Sequence, residues 1–281
     1  MFKIGKKRAL LVAAKLYDTL IYEASLSEGN TMSFYETSST ISGFSPKGAR
    51  VKDIIMVTGL KNGLDYILEK VEKDELYLDK QTLSMLNRIV AQHDNYDNLG
   101  GFRLHGIRIG NSTHKGTPPI KLDEDFYNTN EKYLKDNNIG VREVNLFLDL
   151  SKSQYFGDGN KRTAQLMMCG LLIKEGYAPF TVNFKDMNFA EPLIEFYENE
   201  KKRENILNKL LDIQKEVTLD FLTPKEKEEY LKEISTYEKA VPININQSKS
   251  NKITVKQTSR SNTVKVKAKK LSKDKENDHE L

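Results

Sequence analysis

Apolar positions along this chain recur mostly at spacings of three and four. Between residues 8 and 27, Leu10, Ala14, Tyr17, Ile21 and Ala24 fall on one helical face. Glu28-Gly29-Asn30 then stops that helix, glycine being free to take positive φ. A polar loop follows, and Val51 to Leu68, rich in Ile, Val and Leu, predicts the next helix. Thr82 to His93 predicts another, broken by Asp94-Asn95-Tyr96-Asp97-Asn98. Gly100 to Pro119 has a different character. Phe102-Arg103-Leu104 and Gly106-Ile107-Arg108-Ile109-Gly110 read as short extended segments with turns, ended by Pro118-Pro119. Helices are predicted over Asp123 to Leu134 and Val141 to Ser151. Lys161 to Glu175 is apolar on nearly every face and predicts the central buried helix, ended by Gly176. Helices near 190–200, 203–219 and 224–240 follow. The pattern predicts a mainly α protein, a helical bundle carrying one β-hairpin, with no internal repeat.

Composition changes the picture mainly at the C-terminus. After Pro242 the chain is dominated by Ser, Asn, Lys and Thr and has no aromatic residue, which predicts a disordered basic tail over 241–281. That tail holds ten Lys/Arg against four Asp/Glu, a balance of +6. Of the chain's net +4, this leaves −2 for residues 1–240, so charge does not suggest a nucleic-acid role for the body. The tail's Lys265-Val266-Lys267-Ala268-Lys269-Lys270 run lacks aromatics for base stacking and supports weak, salt-sensitive contact at most. Near the N-terminus, Lys15 closes the apolar run Ala9 to Ala14 after six residues, short of a signal-peptide core. No apolar run reaches the roughly 20 residues of a membrane span. The expectation is a cytoplasmic chain without membrane contact. The single Cys169 excludes an internal disulfide. The remaining boundaries are read as an N-terminal helical element over 1–50, a core over 51–200 and C-terminal helices over 201–240.

The candidate chemistry lies between two apolar helices, in Gln154-Tyr155-Phe156-Gly157-Asp158-Gly159-Asn160-Lys161-Arg162. A glycine-rich turn feeding a helix N-terminus aims several backbone N–H groups at one point, where the helix dipole adds partial positive charge. Asn160 adds a side-chain donor. Lys161 and Arg162 oppose the dipole, so helix stability alone would not choose them, and an anionic ligand would offset that cost. Asp158 is of the type that holds Mg²⁺ shared with substrate phosphates.

This stretch resembles the signature loop of the Fic (Fido) family, His-Pro-Phe-x-Asp/Glu-Gly-Asn-Gly/Lys-Arg-x-x-Arg. Glu28-Gly29-Asn30-Thr31 resembles the family's inhibitory Glu-Gly-Asn element. Gly101-Phe102-Arg103 and Ile107-Arg108-Ile109-Gly110, with Pro118-Pro119, resemble its flap hairpin, which holds a target's backbone as an added strand. The resemblance covers about residues 10–200. It implies a Fic-type bundle that transfers AMP from ATP to a hydroxyl of a protein target. It further implies that Asp158 holds Mg²⁺, that Gly157, Gly159, Asn160, Lys161 and Arg162 line the nucleotide phosphates, with Arg162 on the β-phosphate, and that Phe156 anchors the loop.

Four positions depart from the family pattern. Gln154 stands at the histidine that deprotonates the target hydroxyl, Tyr155 at the proline, Gln165 at the second arginine, and Ala24 at the Ser/Thr that begins the inhibitory element. An amide has no pKa suited to general-base work and can only orient a hydroxyl or a water. Glu28 thus lacks the arginine partner the family gives it. Of the four histidines, His93 reads as structural, His105 and His114 flank the flap, and His279 lies in the tail; none is favoured as a replacement base. Two readings stand: a variant transferase with an atypical base, or a nucleotide-binding module that has lost catalysis. Phosphoryl transfer and AMP removal remain as other chemistries, the family's phosphorylating Doc branch also lacking the second arginine. Oligomeric state stays open.

Overall fold

The computed structural model describes residues 1–92, 98–109 and 112–240. Among them are eleven α-helices and no strand. In chain order these are α1 (Lys6–Lys15), α2 (Tyr17–Leu26), α3 (Phe34–Ile41), α4 (Val51–Glu72), α5 (Lys80–Val90), α6 (Leu122–Lys135), α7 (Val141–Ser153), α8 (Asn160–Glu175), α9 (Met187–Glu198), α10 (Arg203–Asp220) and α11 (Pro224–Ala240). Short 3-10 turns at Pro119–Lys121 and Glu200–Lys202 lead into α6 and α10. Met1–Thr236 forms one compact unit. The basic tail predicted over 241–281 lies outside the described residues. No helix among the described residues is long and apolar enough to cross a membrane.

α8 is the axis of the fold. All but Lys161, Lys174 and Glu175 are buried, and α7, α4, α5, α1 and α2 pack around it. Burial on every side explains why this helix lacks the amphipathic stripe of its neighbours. Gly170 lets α8 approach α4 closely: a Cβ there would sit 2.3 Å from Ile67 Cγ2 and 2.7 Å from Leu76 Cδ2. α6 lies against α7, and α10 lies against α7 and α9.

The N-terminal helix is two helices. Leu16 interrupts it, and the buried set becomes Ala9, Val12 and Ala13 in α1, then Leu20, Ile21 and Ala24 in α2. Ala14, expected on the inner face, is exposed, because the break at Leu16 shifts the register. The stretch read as a polar loop contains α3, started by a capping box in which Ser33 and Glu36 satisfy each other's backbone N–H groups.

The expected β-hairpin does not form in the described residues; 102–109 and 112–118 run as loop. The physical reason is that their backbone groups are engaged elsewhere. Arg103 N–H donates to Tyr155 O at 2.9 Å, Thr117 N–H to Ser153 O at 3.0 Å, and Thr113 N–H to the Glu198 carboxylate at 2.8 Å. Gly110 lies outside the described residues. Ile107 and Ile109 are half-buried and Arg108 is exposed.

Candidate functional site

α7 ends in a sharp turn at Gln154, whose φ of 56° lies in the left-handed region, uncommon for a residue with a side chain. The chain then runs through Tyr155 to Gly159, which opens α8 with φ 74°. A Cβ on Gly159 would meet Ala91 Cβ and Asn87 Nδ2, each at 3.0 Å, so both backbone angle and space call for glycine.

Several anchors hold this loop. Phe156 is buried as expected, edge-on to Phe102 at 5.6 Å between ring centroids. Tyr155 is a second anchor that the sequence reading had only as a departure. It stacks on Phe102 at 5.0 Å, and its hydroxyl donates to Asp125 at 2.5 Å. Burial, reinforced by Asp125, pushes its phenol well above the ordinary value. Asn160 Nδ2 donates to Phe156 O at 2.8 Å and its Oδ1 accepts from Phe156 N–H at 2.9 Å. Its amide therefore clips the loop shut and is not turned toward a ligand. Asn87 on α5 donates to Asp158 O at 2.9 Å and to Thr163 Oγ1 at 3.1 Å.

Arg103 ties the segment expected as flap to the loop. Its buried guanidinium donates to Gln154 O at 2.6 Å, to His105 O at 2.8 Å and to Thr117 O. Asn87 and the joining role of Arg103 were missed from sequence. A readable signal existed for Asn87, a polar residue among the core-facing Leu83, Leu86 and Val90 of α5.

The charged residues divide into an inner and an outer set. Arg162 is 1% exposed; its guanidinium donates to Val90 O at 2.9 Å and lies 3.3 Å from Asp158. It joins the C-terminus of α5 to Asp158 of the loop. Lys161 is outward, 3.3 Å from Glu28 Oε1 and bonded to Ser27 O at 3.2 Å. Glu28 thus has a cation partner one helical turn before the Gln165 position. Gln165 is buried, accepting from Val182 N–H at 2.9 Å. Its Nε2 has no hydrogen-bond partner among the described residues.

The N-terminus of α8 is electrostatically open. No side chain caps it and its first turn has no acidic residue, as in α1, whereas α3, α5 and α9 are capped by Ser33, Asp79 and Asp186. First-turn amides without a cap are ready donors to an anion. Asp158 beside them is 41% exposed, with Oδ1 2.5 Å from Gly159 N–H. No group of three or more metal-ligating side chains gathers among the described residues. A lone carboxylate fits Mg²⁺ only in the mode where substrate phosphates supply further ligands.

The Gln154 side chain is turned back on the last turn of α7. Its amide Nε2 donates to Ser151 O at 2.5 Å, and the residue is 8% exposed. His114 Nε2 lies 2.9 Å from Lys152 O, and His105 is exposed on the loop; His93 and His279 lie outside the described residues. A groove of about 450 Å³ lies behind Ser153, between His114–Pro118, α6 and α7, but none of Gly157 to Arg162 lines it. Its lysines are engaged, Lys132 with Asp149 and Lys152 with Glu200. Cys169 is core: burial raises its thiol to about 12, and it donates to Phe180 O.

No family model matches the chain. It is 27% identical over 185 residues, 63% of its length, to a protein adenylyltransferase Fic of Culex quinquefasciatus, of which the match covers 36%. It is 26% identical over 186 residues, 64% of its length, to a protein adenylyltransferase Fic of Nematostella vectensis, with 42% of that protein covered. The matches therefore span well under half the length of these relatives. Among solved structures, a Fic-domain-containing signalling protein of Bacteroides thetaiotaomicron superposes with a TM-score of 0.66 at 18% identity, over 75% of this chain and 87% of that one. In sequence the chain is similar to these Fic proteins, and its fold is that of Fic-domain structures.

Proposed function

We propose that this chain binds ATP with Mg²⁺ at the 157–161 turn and transfers AMP slowly to a hydroxyl of a protein target. The observation that carries the reading is the uncapped N-terminus of α8, entered through glycine, with Lys161 and the part-exposed Asp158 carboxylate beside its first-turn amides. The relatives named protein adenylyltransferase supply the class of reaction. In that reaction the target oxygen attacks the α-phosphorus, pyrophosphate leaves, and the hydroxyl proton passes to solvent or to a base. The turn's amides and Lys161 would hold the phosphates, and Asp158 would hold Mg²⁺. The metal, when bound, offsets charge on the leaving pyrophosphate. Phe156, Tyr155, Asn160 and Asn87 keep the turn in shape. A target segment would lie along 104–109, where Leu104, His105, Gly106 and Arg108 are exposed.

Turnover is slow because Gln154 cannot accept a proton, and loss of a general base typically removes a factor of ~10²–10⁴. Glu28, held on Lys161, is a second restraint, since nucleotide phosphate must take Lys161 away from it. A partly exposed pair of this kind is worth on the order of 1 kcal/mol, which a polyphosphate can displace.

The test is transfer of label from α-labelled ATP to protein by the wild-type chain and by Gln154→His. Histidine is among the residues that tolerate the left-handed region, so the backbone at 154 admits it. The proposal expects weak wild-type labelling and a gain of ~10²-fold or more in the variant. Absence of label in both, with ATP still bound, would favour the second reading, a nucleotide-binding module without catalysis. That reading draws on the same Gln154 observation.

A further inference from the structure

Glu28 is exposed enough to move, yet the turn that carries it is fastened on two sides. On one side Ser27 Oγ donates to Val182 O at 2.8 Å and accepts from Phe184 N–H at 2.9 Å. On the other side stands Asp53, in the first turn of α4 and 1% exposed. Its carboxylate takes Arg50 in a two-point pair, Nε to Oδ2 at 2.7 Å and Nη2 to Oδ1 at 3.0 Å. The same Oδ2 accepts from Thr31 Oγ1 at 2.8 Å, and Asp53 O accepts from Asn30 Nδ2 at 3.1 Å. Arg50 then reaches forward to Gly29 O at 3.2 Å.

An acid placed in a first turn only to complement the helix dipole has no need of burial. Asp53 instead spends its oxygens on an arginine and a threonine that both belong to the Glu28 turn or touch it. Burial works against its charge, but the bonds from Arg50 and Thr31 outweigh that and hold its carboxyl below the ordinary value. The carboxylate therefore remains charged while enclosed, as a two-point clamp requires.

We infer that Asp53 and Arg50 are positioning residues for Glu28: they latch residues 29–31 so that Glu28 stays on Lys161 and keeps the phosphate turn closed. The inference rests on the reading of Glu28 as a restraint on that turn. It predicts that the restraint is set by α4, a helix with no residue in the signature loop. Opening the latch leaves every loop residue in place and takes Glu28 off Lys161, which also bonds Ser27 O at 3.2 Å.

The test reads Lys161 directly. The full chain is treated briefly with an amine-acylating reagent, and labelling at Lys161 is quantified by mass spectrometry against Lys225, an exposed lysine on α11. The chains compared are wild type, Glu28→Gln, Asp53→Asn, Arg50→Gln and Glu28→Gln/Asp53→Asn. Asp53→Asn keeps side-chain volume and replaces one acceptor with a donor facing Arg50 and Thr31. Arg50→Gln is the milder change should Asp53→Asn fail to fold.

The latch predicts severalfold faster Lys161 labelling in Asp53→Asn or Arg50→Gln, matching Glu28→Gln, with no further gain in the double variant. A merely structural role for Asp53 would lower melting temperature and leave Lys161 as it was, which overturns the latch. ATP affinity, measured on the same chains, separates the two claims. If Lys161 is freed in both single variants and ATP affinity rises with it, latch and nucleotide reading both stand. If Lys161 is freed and no chain binds ATP, the latch stands and the nucleotide reading falls.

Discussion

Asn160 is the residue whose part changed most between sequence and structure. As a residue type in a glycine-rich loop it reads as a donor to phosphate. In place, both ends of its amide are bonded to the backbone of Phe156. Asn160→Ala should therefore act through loop shape. Two buried backbone groups lose their partners, at a cost of about 1–3 kcal/mol. Thermal unfolding should fall by several degrees and ATP affinity should drop with it, although no phosphate contact is removed. Arg162 carries a similar lesson. A cation in a first helical turn suggests a ligand contact, but its guanidinium is buried on Val90 O. Side-chain direction inside a tight loop is set by three-dimensional neighbours, and sequence spacing does not report it. Lys161 and Glu28, 133 positions apart, meet for the same reason.

At the scale of elements, most of the fold was legible because 3.6-residue periodicity survives wherever a helix has one buried face. The predicted starts and ends of α4, α7, α10 and α11 lie close to those observed. The misses have separate physical causes. α3 has only eight residues, too few for its periodicity to stand out, though its Ser33/Glu36 capping box was readable. The break at Leu16 is local and leaves the composition helical. Among the described residues the expected hairpin is not seen; Arg103, Thr113 and Thr117 give their N–H groups to the loop at 155, to Glu198 and to Ser153. α8 was recognised as central from its apolar faces, and Gly170 marks how tightly it is held. Gly170→Ala should cost about 1–3 kcal/mol by overpacking against Ile67 and Leu76, read as a lower denaturant midpoint. The signature loop should keep its nucleotide affinity below that midpoint, because the strain falls at the far end of the helix.

Over the whole molecule, the N- and C-terminal helices close on each other. Arg8 of α1 holds Glu226 of α11 at 2.7 Å and also bonds Phe221 O, and Phe2 packs on Tyr230 at 5.1 Å. Arg8 first, then Thr223, pulls the Glu226 carboxyl from 4.5 down to about 2. A carboxyl lowered in the folded state stabilises fully above its ordinary 4.5. That contribution declines below 4.5 and is gone below about 2. Hydrogen exchange over 224–234 should accelerate across this window before that of α8, and Arg8→Ala should flatten the response. The functional account turns on one further point, that the loop between α7 and α8 is a nucleotide-phosphate site kept closed by Glu28. Titration calorimetry of ATP with Mg²⁺ tests it most directly, using Glu28→Gln and the same chain also carrying Asp158→Ala. The account predicts saturable heat in the first and its loss in the second. No heat in Glu28→Gln, or equal heat in both, would contradict it.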